Sequence, residues 1–189
     1  MLSPIRPAIL LTLAFTLICG IAYPLAITGI GQAALPATAN GSPILRDGKI
    51  IGSSLVGQAV TLPGYFWPRP SATATTPYNA AASGGANYGP TDARLIARVR
   101  EAVTSNGGAG TVPADAVTTS ASGLDPHISP ETAQLQVARV AEARGTPPAE
   151  IARLVADMTE GPWLGIFGEP RVNVLALNLA LDAKTPLAR

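Results

Sequence analysis

Asp125 and His127 stand two residues apart, and with one of several serines they are the groups from which a nucleophilic triad would be assembled. The chain gives that chemistry little support. A serine nucleophile sits best on a sharp strand-to-helix elbow, and no Gly-x-Ser-x-Gly word occurs. The same two residues also read as a turn. Asp125-Pro126 then reverses the backbone, and His127 packs or meets water just ahead of a helix start at Ser129. His127 is the only histidine and Cys19 the only cysteine in 189 residues, so no cluster has zinc-ligand spacing.

Gly84 to Thr91 (GGANYGPT) approaches a phosphate loop, but Pro90 stands where the lysine belongs. Proline offers neither the cation that reaches a β- or γ-phosphate nor an amide to cradle one. A tight glycine-built loop packed on a partner or on the domain itself explains these residues better.

The elements that position such groups begin with a membrane segment. Ala8 to Ile30 is a run of 23 residues without a charge, and no second run of this kind follows. As a helix at 1.5 Å per residue it reaches ~34 Å, enough to cross a hydrocarbon core of ~30 Å. Pro24 removes one backbone bond, so a kink is expected near Tyr23-Pro24, while Thr12 and Thr16 return hydroxyls to preceding carbonyls. Gly20 leaves a notch where another helix could approach. Arg6 and the α-amine lie before the span, and Arg46, Asp47 and Lys49 are the first charges after it, which puts the N-terminus in the cytoplasm.

A cleaved signal with processing at Ala37-Thr38-Ala39 competes with a retained anchor, but the apolar run exceeds the ~7–15 residues of a signal core. A lipoprotein site at Cys19 wants a small preceding residue, and Ile18 is bulky. The expected organisation is a cytoplasmic N-terminus over 1–7, a transmembrane helix over 8–30, a linker over 31–43 and one extracytoplasmic α+β domain over 44–189. With Cys19 in the span, that domain has no thiol chemistry. Apart from Arg6, the chain's charges all lie in the domain, twelve basic against twelve acidic, so no field recruits nucleic acid or anionic lipid.

Within the domain, Ile44-Leu45-Arg46 and Lys49-Ile50-Ile51 flank Asp47-Gly48, the signature of a two-residue type I′ hairpin. Residues 52–92 are rich in Pro, Gly, Ala, Ser and Thr and read as long ordered loops. Three helices follow. Thr91 is expected to cap the first, which carries Leu95, Ile96, Val99 and Val103 on one face and ends at Asn106-Gly107. Ser129-Pro130 opens the second, which runs to Arg144 and stops at Gly145. Thr146-Pro147 begins the third, whose Ile151, Leu154, Val155 and Met158 face the core. Val172 to Asp182 reads as a short strand running into a final helix, and strands with segregated helices make the domain α+β.

The loops carry a series of recognisable words. These are Gly52-Ser53-Ser54-Leu55-Val56-Gly57-Gln58, Tyr65-Phe66-Trp67-Pro68-Arg69-Pro70-Ser71-Ala72, and Tyr78-Asn79 leading to Ser83-Gly84-Gly85-Ala86-Asn87. Val117 to Asp125, with Ser122-Gly123-Leu124-Asp125 at its end, the Arg139-Val140-Ala141 helix and Val172 to Asp182 continue the series. Together with Arg6-Pro7-Ala8 and Tyr23-Pro24-Leu25 they closely resemble, in order, the C subunit of the Kdp-type potassium-transporting ATPase.

That resemblance implies a non-catalytic, single-pass subunit of a bacterial inner-membrane potassium uptake pump. Its companions would be a channel-like potassium-binding subunit, a P-type ATPase subunit and a small hydrophobic subunit. The family is described as a catalytic chaperone that raises the ATP affinity of the hydrolysing subunit, and the matching glutamine here is Gln136. Its competing reading is a plain polar residue on the second helix. ATP and potassium then belong to the complex, with no cofactor assigned to this chain. Gly57, Gln58, Arg69, Pro70, Ser71, Tyr78, Asn79, Ser83, Gly84, Gly85, Asn87, Ser122, Gly123, Leu124 and Asp125 become candidate interface or motif positions. Arg69, held between two prolines, either presents its guanidinium to a partner or pairs within the domain. The rival class is a free-standing anchored binding protein or hydrolase working through Asp125, His127 and a serine.

Overall fold

The computed structural model of the chain describes residues 4–106 and 111–187. The chain is α+β and divides into two compact units, Met1–Ser53 and Ser54–Arg189.

The first unit opens with one long helix, Ile5–Ala34, 30 residues that contain an 18-residue stretch of mean hydropathy 2.1. Its length and composition make it a candidate membrane span, and it overruns the predicted 8–30 at both ends. Helix α1 (Ile5–Leu17) passes through a wider π-helical turn, Ile18–Ala22, into α2 (Tyr23–Ala34). The wide turn suits the proline. Tyr23 N–H reaches back to the Ile18 carbonyl, five residues away, and the missing N–H of Pro24 falls at the start of α2. The Thr16 hydroxyl donates to the Thr12 carbonyl at 2.8 Å. Residues 31–43, expected as linker, hold the end of α2 and a single turn α3 (Pro36–Ala39). There the Gln32 and Asn40 carboxamides pair at 3.0 and 3.2 Å.

A hairpin follows, β1 (Pro43–Arg46) against β2 (Lys49–Ser53). Asp47 and Gly48 take φ 52° and 74°, the positive angles that a type I′ turn requires.

In the second unit the loops predicted over 52–92 contain, from Ser54 on, a single 3₁₀ turn at Ala80–Ala82 as their only helix or multi-residue strand among the described residues. Helix α4 (Ala93–Ser105) is capped by Asp92, whose carboxylate accepts the Arg94 N–H at 2.8 Å. This corrects the Thr91 cap by one residue; both types cap well, and only the carboxylate also pairs with the Arg94 guanidinium. The helix's C-cap is Asn106, and Gly107 lies outside the described residues. A short helix α5 (Ala114–Val117), which no sequence signal announced, comes next.

Strand β3 (His127–Ile128) leads into α6 (Pro130–Arg144), which begins and ends as predicted. The Ser129 hydroxyl accepts the Thr132 N–H at 3.0 Å, and Gly145 closes the helix at φ 62°. Helix α7 (Pro148–Asp157) and β4 (Thr159–Glu160) precede β5 (Arg171–Asn173), and Asn173 caps α8 (Val174–Lys184). The strand-then-helix reading of the tail is thus correct. β5 is the middle of a small antiparallel sheet in the order β3-β5-β4, with Val172 opposite both Ile128 and Thr159.

The core lies among α6, α7, α8 and this sheet. Val140, Ile151, Val172, Leu177 and Leu181 are fully buried in it, and Met158 packs at its edge. Phe66 joins them from the loop region with no exposed surface. The apolar face predicted for α4 exists in sequence but contributes no buried residue.

Candidate functional site

The loop from Gly64 to Tyr78 has almost no regular backbone pairing of its own, so its polar groups must find partners elsewhere. They find them on helix side chains. Asn178 on α8 accepts the Phe66 N–H at 2.8 Å through Oδ1 and donates Nδ2 to the Phe66 carbonyl at 2.9 Å. Gln136 on α6 does the same for the next residue, accepting Trp67 N–H at 2.7 Å and donating to its carbonyl at 3.0 Å. Both amides are buried, and each stands in for a neighbouring strand.

Two arginines complete the clamp. Arg139 donates to the carbonyls of Pro63 and Tyr65 and to Gln136 Oε1, and its guanidinium lies 3.7 Å from the centre of the Trp67 ring. Burial among these neutral acceptors draws its pKa down to about 10, so it remains charged at neutral pH. Arg144 donates to the Gly64 and Thr185 carbonyls, pairs with Asp182 at 2.9 Å and covers the Tyr65 ring.

The second half of the loop is tied to residues 120–125. Arg69 Nη1 lies 3.0 Å from Asp125 Oδ2, so of its two readings the pairing within the domain is the one formed. Asp125 Oδ1 accepts the His127 N–H at 3.0 Å. Burial pushes the Asp125 carboxyl up, but hydrogen bonds from His127 and Arg69 outweigh it and hold the group below its ordinary range. The Tyr78 hydroxyl donates to the Arg69 carbonyl at 2.5 Å, and burial first, then the Asp125 charge, drives that phenol far above its usual pKa against the opposing pull of Arg69. It stays a donor.

Ser71 accepts the Tyr78 N–H at 3.0 Å and donates to the Gly123 carbonyl at 2.8 Å. Asn79 gives its own N–H to Thr73 and caps the turn at Ala80–Ala82. Ser83 and Gly84 both donate to the Ser122 carbonyl, at 3.0 and 2.9 Å. Gly57 is buried, and a Cβ there would stand 2.8 Å from the Asp125 carbonyl oxygen and inside the Tyr78 ring's space. Gly123 combines φ 69° with a Cβ position 2.9 Å from the Gly84 carbonyl oxygen. Gly85 backs onto Ala121, and its Cβ would stand 3.0 Å from that carbonyl oxygen.

Gly57 N–H donates to the Leu124 carbonyl at 2.9 Å. Gln58 and Pro70 are half-buried beside these contacts, and Asn87 is exposed with φ 52°. The positions singled out in sequence are therefore largely brought together, except that Gln136 belongs to the α6 clamp.

As a catalytic group the constellation is poorly furnished. The His127 imidazole Nδ1 lies 3.5 Å from Asp125 Oδ1, so the Asp–His pair of a triad is present, but Asp125 is also engaged by Arg69 and the His127 amide, and the Ser129 hydroxyl donates to Asp115 at 2.9 Å. Asp115 also takes the Ser129 N–H and the Thr132 hydroxyl, both at 2.7 Å, so it anchors the start of α6. Arg69, Asp115, Asp125, His127 and Arg171 line one open cleft of about 530 Å³. Among the described residues no three of His, Cys, Asp and Glu are grouped to hold a metal ion.

Residues 5–183 match the family model described as K+-transporting ATPase, c chain. The chain belongs to this family. It is 58% identical over 186 residues to a potassium-transporting ATPase KdpC subunit of Allorhizobium ampelinum, covering 97% of both chains. It is 56% identical to the KdpC subunit of Polaromonas naphthalenivorans, over 97% of this chain and 96% of the relative. The KdpC subunit of Geobacter sulfurreducens is 51% identical and is covered in full. The family resemblance read from the loop words is thereby established across the helix, the loops and the core.

Asn178, Asp115 and Arg144 were not singled out as site residues from the sequence. The available signal was an amide on an otherwise apolar helical face: Asn178 lies among Val174, Leu177 and Leu181, and a carboxamide there must have a partner.

Proposed function

We propose that this chain is the membrane-anchored, non-catalytic accessory subunit of an ATP-driven potassium uptake pump in the bacterial inner membrane. Its N-terminus lies in the cytoplasm, the helix Ile5–Ala34 crosses the bilayer once, and residues 54–189 lie outside the cytoplasm. It assembles with a channel-like potassium-binding subunit, a P-type ATPase subunit and a small hydrophobic subunit. It stabilises that complex and raises the affinity of the hydrolysing subunit for ATP.

The observation that carries the reading is the bonding of the family's own words to one another. Arg69 holds Asp125, Ser71 holds Gly123, Tyr78 holds the Arg69 backbone and Gln136 holds Trp67. Residues bonded to one another in this way build a body suited to docking. The Gln136 carboxamide has both ends occupied, so its influence on ATP runs through the Trp67 loop, without contact to the nucleotide.

Two measurements test this. The complex assembled without the chain should hydrolyse ATP only at a raised KM for ATP, and the chain alone should not hydrolyse ATP. Turnover by the isolated chain, or an unchanged KM, refutes the reading. Protease added to intact spheroplasts should digest residues 54–189, and protease added to inverted vesicles should spare them. The reverse pattern refutes the topology.

A further inference from the structure

Gly161 to Gly168 (GPWLGIFG) connects β4 to β5 and contains no charge. Its backbone closes on itself. Trp163 and Phe167 exchange hydrogen bonds at 2.8 and 3.0 Å, Gly165 N–H donates to the Pro162 carbonyl, and Leu164 and Gly165 take φ 53° and 77°. The result is a closed tip whose four large side chains are exposed, with only Pro162 half-buried. Trp163, Leu164, Ile166 and Phe167 are 70%, 71%, 76% and 57% exposed, and the first three exceed every large apolar residue of the Ile5–Ala34 helix, of which Leu25 is the most exposed at 67%. A soluble surface rarely displays four large apolar side chains within five residues, and such a patch marks a contact.

A bilayer surface and a pocket on another protein are the two candidate covers, and the charges at the base of the tip separate them. Glu160 and Glu169 flank it on either side, and the nearby cation, Arg171, lies 3.1 Å from Glu160. Segments that enter a bilayer surface carry lysine or arginine on their flanks to meet lipid phosphates, and carboxylates there are repelled. An apolar centre ringed by charged residues is the pattern of a protein interface, with tryptophan as the anchor. The internal pairing adds to this, since the amides of Trp163, Gly165, Ile166 and Phe167 already have partners and fewer polar groups are stranded when the tip enters a pocket.

We propose that the Gly161–Gly168 tip is the plug by which this domain seats in an apolar pocket, rimmed by lysine or arginine, on another subunit of the ATPase. This rests on the reading of the chain as a subunit of a larger assembly. In membranes holding the complete transporter, a photo-crosslinking residue at Ile166 should form an adduct with another subunit. Trp163→Ser should lower the amount of this chain retained by the detergent-purified complex by tenfold or more. Glu169→Lys should lower it as well, through repulsion by the basic rim.

Because these side chains are exposed, the variants' melting in detergent should match the wild type, so a retention loss reports binding. Crosslinking to lipid alone, or undiminished retention of Trp163→Ser, overturns the proposal. Glu169→Lys retained as well as or better than wild type overturns the assigned rim charge and with it the choice of a protein pocket. Should the wild-type chain fail to copurify with any other subunit, the functional reading falls too. If it copurifies and the tip variants do so equally, only the plug falls.

Discussion

The Gln136 carboxamide satisfies both backbone groups of Trp67, at 2.7 and 3.0 Å, and thereby joins helix α6 to a loop 69 residues earlier in the chain. Removing it strands two peptide groups and one donor of Arg139. Each buried polar group left without a partner costs about 1–3 kcal/mol. Gln136→Ala should therefore destabilise the chain by about 3 kcal/mol in urea unfolding. With Trp163→Phe as background, Trp67 is the sole tryptophan, and its emission should move to longer wavelength as its ring loses the packed arginine. An unshifted emission maximum would mean that the loop stays seated without the amide.

Asn178 performs the same service for Phe66, one residue away, and the two clamps should not act independently. Once Gln136→Ala has loosened the segment, Asn178→Ala has less to lose. The double variant should be less destabilised than the two single losses added together, by at least about 0.5 kcal/mol. Strict additivity in a double-mutant cycle would show that Phe66 and Trp67 are held separately.

Local geometry was readable in the sequence, and long-range pairing was not. Asp47-Gly48 and the Ser129-Pro130 to Gly145 helix could be placed to the residue, because the required φ angles and caps admit few residue types. β3 and β4 hold two residues each, too few for any alternation to be visible, and they exist only because β5 pairs with both. Arg69 posed the same difficulty. Its two prolines gave an extended presentation, but its partner is 56 residues away, and nothing in the local chain chooses Asp125 over an external carboxylate. The word order identified the family, and the bonding among those words appears only in three dimensions.

The depressed Asp125 carboxyl sets a pH window. The unfolded chain takes up this proton near pH 3.9, and the folded chain only below that. Its stabilisation is thus complete well above pH 4 and disappears as pH falls through the lower folded value. Urea midpoints of the wild type should drop between pH 5 and pH 3, and Asp125→Asn, which starts lower, should drop less over the same interval. Parallel curves for the two proteins would remove Asp125 from the acid response.

Gly57 has no room for a side chain. A methyl group there would stand 2.8 Å from the Asp125 carbonyl oxygen and within the Tyr78 ring, and neither neighbour is free to give way. Tyr78 is held by its hydroxyl on Arg69 and its amide on Ser71, while Asp125 is held by Arg69. Overpacking of this kind costs about 1–3 kcal/mol. Gly57→Ala should fall in that range, and Tyr78→Leu should lose the two-sided grip on the loop instead. If the clash between them is the dominant cost, the Gly57→Ala, Tyr78→Leu pair should be more stable than the sum of its parts. Gly145→Ala provides the contrast: nothing lies within 4 Å of that Cβ position, and only the positive φ opposes it. It should lose about 1 kcal/mol, whatever stands at position 78.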